Sequence, residues 1–140
     1  MRDEYFVPMN ELIVHTRTET GYTLPEDIEV YVSALLAHYI DKPNFLPEQS
    51  FAEAYTVLGK RDYESAKNLG DTCLFLSGVF PKYGKRYGLN KRYYREIGSS
   101  SYGLLQRQLF QLLARNFDFV AEYIHLTTQV RQDIRIINES

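Results

Sequence analysis

The sequence contains one cysteine and no tryptophan among its 140 residues. A single cysteine cannot build a disulfide framework. Because the N-terminus also lacks a secretory pattern, the sequence indicates a reducing, cytoplasmic setting. No apolar run approaches the roughly 18 residues that a membrane span requires. We therefore expect a soluble, cytoplasmic protein without a membrane partner.

Catalytic and nucleotide-binding signatures are also missing. Gly84 and Gly88 lack the Gly-Lys-Ser/Thr ending of a phosphate-binding loop, and no strand precedes them. The serines of residues 99–101 have no Gly-x-Ser-x-Gly context. Cys73 lies on an apolar helical stripe and is interpreted as a small hydrophobic residue. The sequence leaves enzyme activity uncertain, favours binding over catalysis and predicts no cofactor.

One Glu-x-x-His step occurs, from Glu122 to His125. On a helix this spacing places a carboxylate and an imidazole on one face, as in di-iron carboxylate bundles. Such bundles need two of these steps and two further glutamates, and neither His15 nor His38 has a glutamate three residues before it. We interpret Glu122 as a surface residue and His125 as packed or solvated, and we predict no metal site.

Aromatic residues are abundant, and charge is unevenly distributed. Twelve tyrosines and eight phenylalanines predict an aromatic core, in a chain of the length typical of one domain. Residues 1–64 carry a net charge of −7 and residues 65–140 a net charge of +5. Either the two halves pack together so that their fields cancel, or the basic end recruits an anionic partner or another copy of the chain.

The periodicity of apolar residues predicts an all-α, single-domain bundle of five or six helices over residues 1–140. Residues 1–23 are open to two interpretations, a short helix or an N-terminal arm, with a loop from Thr16 to Thr23. Thr23 and Glu26 have the spacing of a capping box. The expected helices run from about residue 24 to 41, 47 to 58, 62 to 80, 90 to 115 and 116 to 137.

The segment from Leu69 to Phe80 is apolar nearly all round, which predicts a buried central helix. It contains one carboxylate, Asp71, whose burial would require a partner. Asp71 is expected either at the surface or paired with a tyrosine hydroxyl or an arginine. We favour the pairing, for which Arg92 or Arg95 could supply the arginine. A candidate pocket is formed by Asp71, Tyr94 and Tyr102.

Residues 82–95 form the strongest charge run, with six basic residues, four tyrosines and no acid. Asn90 is a predicted N-cap, so the run leads into a helix N-terminus, which favours anions. The competing interpretation is a solvated basic face. The candidate residues for binding an anion or partner are Lys82, Tyr83, Lys85, Arg86, Tyr87, Lys91, Arg92 and Arg95.

A sequence pattern runs through both of these segments. Leu69-Gly70-Asp71, Leu74-Phe75, Gly78 and Phe80-Pro81 are followed by Tyr93-Tyr94, Gly98 and Ser101-Tyr102-Gly103. The pattern resembles that of an uncharacterised family of small bacterial helical proteins. The resemblance implies a mostly helical bacterial protein and no particular activity.

Three functions follow as hypotheses. The first is a non-catalytic interaction module whose basic loop, residues 82–95, binds an anionic protein, a nucleic acid or a phosphorylated ligand. The second is a structural or regulatory homo-oligomer assembled through the C-terminal helix, with Ile134 and Ile137 on its apolar stripe. The third is an enzyme with a small helical pocket near Asp71.

Overall fold

The computed structural model describes residues 4–40, 51–57, 63–83 and 89–139, the last nine of them as backbone. Every regular element in this part of the chain is an α-helix, which confirms an all-α, single-domain fold. None of these helices is both long and apolar enough to cross a bilayer. In chain order they are α1 (Phe6–Thr20), α2 (Glu26–Tyr39), α3 (Phe51–Val57), α4 (Tyr63–Val79), α5 (Lys91–Gly103), α6 (Gln108–Arg115) and α7 (Phe117–Glu139).

The described residues thus contain seven helices, and the predicted count of five or six is wrong. The helix expected from residue 90 to 115 is two helices, α5 and α6, joined by a short turn. The Gln111 side-chain amide donates to the carbonyl oxygens of Gly103 at 3.0 Å and of Leu105 at 2.6 Å. These bonds satisfy carbonyl groups that a continuous helix would have used internally, and so stabilise the break.

The N-terminal segment adopts the helical alternative. Residues 16–20, expected in a loop, continue α1, which ends at Gly21 in the left-handed conformation (φ 80°). The buried face of α1 packs on α2 and α7. The Thr16 hydroxyl donates to Thr127 Oγ1 at 2.8 Å, and the Tyr123 hydroxyl donates to the Ile13 carbonyl oxygen at 2.7 Å.

The predicted helix starts have mixed outcomes. The Asn90 side chain caps α5 by accepting a hydrogen bond from the Tyr93 backbone N–H at 3.2 Å, as predicted. In contrast, α2 starts at Glu26 with no side-chain cap, so the capping box built on Thr23 is wrong. The expected bounds at residues 41, 47, 58 and 62 lie outside the described residues.

Helix α4 is the centre of the bundle, as its all-round apolar pattern predicts. Every residue from Leu69 to Gly78 is buried, and α4 contacts α2, α3, α5 and α7. Two glycines allow the close approach of α5. A Cβ atom on Gly70 would lie 2.7 Å from the Tyr102 ring, and one on Gly98 would lie 2.7 Å from the Cys73 Cβ.

Candidate functional site

Asp71 lies in the interior with both carboxylate oxygens bonded. Its Oδ1 accepts hydrogen bonds from the hydroxyls of Tyr31 and Tyr102, each at 2.6 Å. Its Oδ2 accepts from Lys67 Nζ at 3.2 Å, one helical turn earlier in α4. The same ammonium lies 5.7 Å from the centre of the Tyr31 ring. The carboxylate therefore ties α2 and α5 to the central helix.

The two phenols are fixed as proton donors. Burial raises the pKa of Tyr31 far above its ordinary value, and the adjacent Asp71 charge raises it further. Burial and Asp71 likewise raise the pKa of Tyr102, which is fully enclosed and stacks on Phe110. Neither phenol is suited to act as a base or a nucleophile near neutral pH.

The arginines expected to pair with Asp71 lie elsewhere. Arg92 Nε donates to Glu96 Oε1 at 2.9 Å on the exposed face of α5. Arg95 faces α7 instead of α4, with Asp118 and Glu122 as its nearest carboxylates. The helix step from Lys67 to Asp71 provides the cation, so the prediction of an arginine partner is wrong and that of a tyrosine hydroxyl is right.

The candidate pocket residues do not all come together. Asp71 and Tyr102 are in contact, whereas Tyr94 belongs to a separate aromatic cluster with Phe51 (ring centroids 5.2 Å apart), Tyr83 (5.8 Å) and Tyr93 (5.0 Å). Cys73 is completely buried, and its burial raises the pKa of the thiol, as expected of a packing residue.

An open basic surface lies along α5, where residues 91–99 face the first half of α7. It consists of two adjoining clefts of about 390 and 690 Å³, which share Lys91 and Arg95. We call the two clefts together the α5–α7 trough. The smaller cleft is also lined by Pro81, Lys82, Tyr83, Leu89, Asn90, Glu122 and His125. The larger is also lined by Arg92, Glu96, Ser99 and residues 114–119.

Arg95 is the central cation of the trough. Its side chain is only 16% exposed, yet its nearest carboxylate atoms, Asp118 Oδ1 and Glu122 Oε2, lie 3.7 and 3.8 Å from the guanidinium. Both distances exceed those of charge-assisted hydrogen bonds. The buried Nε of Arg95 has no hydrogen-bond partner. The guanidinium therefore has a buried donor that is not used within the described part of the protein.

His125 shares this property. Its Nδ1 is buried and has no hydrogen-bond partner, and its ring lines the smaller cleft beside Glu122. The Glu-x-x-His step thus does place its two side chains in one cleft. No group of three or more histidine, cysteine or acidic side chains in the described residues is arranged to hold a metal ion.

The trough contains part of the predicted binding set. Lys82, Tyr83, Lys91 and Arg95 line the smaller cleft, and Arg92 lines the larger one. Lys85, Arg86 and Tyr87 lie outside the described residues. The sequence reasoning missed the opposite wall, which Arg115, Phe119 and His125 provide. The spacing of Glu122 and His125 was the only sequence signal for that wall. It showed that the two side chains share a helix face, but not that this face turns toward α5.

No protein-family model, curated protein or solved structure matches this chain.

Proposed function

We propose that this protein is a non-catalytic interaction module that binds an anionic partner in the α5–α7 trough, with Arg95 as the central contact. The observation that carries the proposal is a nearly buried guanidinium with an unpartnered Nε, flanked by clefts on two sides. An anion with two oxygens satisfies such a group through paired, charge-assisted hydrogen bonds.

The surrounding charges support the same ligand class. Lys82 and Lys91 line the smaller cleft with Arg95, and the larger cleft adds Arg92 and Arg115. Helix α5 also begins at the smaller cleft, and its positive dipole end favours an anion there. The carboxylates of Glu122 and Asp118 disfavour anion binding, so an incoming anion must compete with them for Arg95.

Binding is favoured over catalysis because the buried carboxylate of Asp71 is already committed. Asp71 receives three hydrogen bonds, and its phenol partners hold their protons. The positions that would test the alternative, a homo-oligomer assembled through the C-terminal helix, are Ile134 and Ile137, and their side chains are not described.

The proposal is tested by titrating the protein with inorganic tripolyphosphate and measuring the dissociation constant by calorimetry. Arg95→Met keeps the buried stem of the side chain and removes the charge. We expect it to weaken binding about tenfold or more, since a hydrogen bond to a charged group contributes about 1.5–3 kcal/mol.

Arg107→Ala is the matched control, because Arg107 is exposed, lies outside the trough and hydrogen-bonds the Tyr63 hydroxyl instead. It should bind tripolyphosphate like the unmodified protein. Equal weakening by both variants would show a diffuse charge effect and overturn the proposal. Glu122→Gln should strengthen binding, because it removes a carboxylate that competes for Arg95.

A further inference from the structure

The α5–α7 trough is long enough for more than one anionic group. The residues of α5 that line it run from Lys91 to Ser99. At 1.5 Å per residue this stretch is about 12 Å long. Cations are distributed along it: Lys91 stands near the start of α5, Arg95 in the middle, and Arg115 on the opposite wall of the larger cleft. A single phosphate group would occupy only part of this surface.

Each cleft also contains an accessible aromatic ring. Tyr83, 36% exposed, lines the smaller cleft, and Phe119, 42% exposed, lines the larger one. Each ring contacts a neighbouring ring that is inclined to it. Tyr83 contacts Tyr94, and Phe119 contacts Tyr22 edge-on, with ring centroids 6.2 Å apart. An edge-on or tilted neighbour leaves ring surface available for stacking by a planar group.

Alternating cations and accessible aromatic rings along a groove are the pattern that binds single-stranded nucleic acid, with the cations on the phosphates and the rings under the bases. We propose that the ligand of the trough is a short single-stranded nucleic acid segment. Its backbone passes Arg95, and its bases stack on Tyr83 and Phe119. The roughly 12 Å of α5 is long enough for the phosphates of more than one nucleotide. This inference rests on the proposed function and specifies its ligand.

The test is fluorescence anisotropy with two labelled probes, an oligothymidylate of about six nucleotides and an abasic deoxyribose-phosphate oligomer of the same length. The two probes carry the same phosphates, but only one has bases. We expect the oligothymidylate to bind at least about fivefold more tightly. Phe119→Ala should weaken oligothymidylate binding about fivefold and leave binding of the abasic probe unchanged, because its ring contacts bases and not phosphates.

Two further measurements sharpen the assignment. Tyr63→Ala removes an exposed aromatic ring outside the trough and should leave oligothymidylate binding unchanged. The logarithm of the binding constant should fall with the logarithm of salt concentration, and Arg95→Met should make that slope shallower by about 0.7. A ribose version of the probe shows whether RNA or DNA is preferred.

The failures are distinguishable. Equal binding of the two probes, both dependent on Arg95, would overturn the nucleic-acid assignment and leave the anion-binding function in place. A phosphorylated peptide that outcompetes the oligothymidylate would also overturn the assignment, in favour of a protein partner. Absence of binding by both probes and by tripolyphosphate would overturn the proposed function itself.

Discussion

Asp71 and Arg95 are both enclosed charges next to α5, and they differ in how they are satisfied. Asp71 receives two phenol hydrogen bonds at 2.6 Å and one ammonium bond at 3.2 Å. Arg95 has carboxylates no closer than 3.7 Å and a buried Nε without a partner. An enclosed charge with a complete set of partners stabilises one arrangement of helices, whereas one with spare donors is ready for a ligand.

Charge alone does not distinguish the two arginines of α5. Arg92 is 82% exposed and bonded to Glu96 at 2.9 Å, so its charge is partly neutralised on its own helix. Arg95, one turn later, has less exposure and fewer hydrogen bonds. The two arginines differ because the unpartnered Nε of Arg95 is buried, and this burial depends on tertiary contacts.

The largest expected effect is on stability, from Asp71→Ala. This substitution removes the carboxylate that accepts from the hydroxyls of Tyr31 and Tyr102, and it should lower the free energy of unfolding by about 3 kcal/mol or more. Urea denaturation measures the change. Arg95→Met is the matched comparison and should change stability by about 1 kcal/mol or less, because the carboxylates near Arg95 are exposed.

A second effect concerns the packing that positions the Tyr102 hydroxyl. Gly70→Ala would bring a Cβ to 2.7 Å from the Tyr102 ring, and we expect a loss of about 1–3 kcal/mol in unfolding free energy. Gly103→Ala is the control, because a Cβ there meets no atom within 4 Å. Thermal melts of both variants give the comparison. Equal stability would show that Tyr102 moves aside without cost.

The smallest effect is a pH dependence of the Asp71 cluster. The pKa values of Tyr31 and Tyr102 are raised above 10 in the folded protein, so the unfolded chain loses these protons first. Stability should therefore be complete below about pH 10 and fall above it, by about 1.4 kcal/mol per pH unit for each phenol. Tyr31→Phe removes the contribution of one phenol. The free energy of unfolding, measured by urea denaturation between pH 9 and 11, should therefore decline less steeply in this variant. An unchanged decline would contradict this account.

The sequence predicted the features that depend on local patterns. The apolar circumference of residues 69–80 indicated the buried helix α4, and Asn90 indicated the cap of α5. It did not predict the break at Gly103, because the stabilising bonds come from Gln111, eight residues later. Tyr31 carries no local signal for its bond to Asp71, 40 residues away. The basic residues of α5 were recognised from the sequence. The other wall of the α5–α7 trough was not, because it depends on the orientation of α7.

Two hydrogen bonds between α1 and α7 bear on the order in which the molecule assembles. The Tyr123 hydroxyl bonds the Ile13 carbonyl oxygen across 110 positions of the chain, and Thr16 reaches Thr127 across 111. At about 5–20 residues per second, a ribosome needs roughly 5–20 s between the two segments. During that interval α1 can pack on α2, but the side of α1 that faces α7 in the folded protein lacks its partner. Helix α1 therefore completes its packing only after α7 has been synthesised.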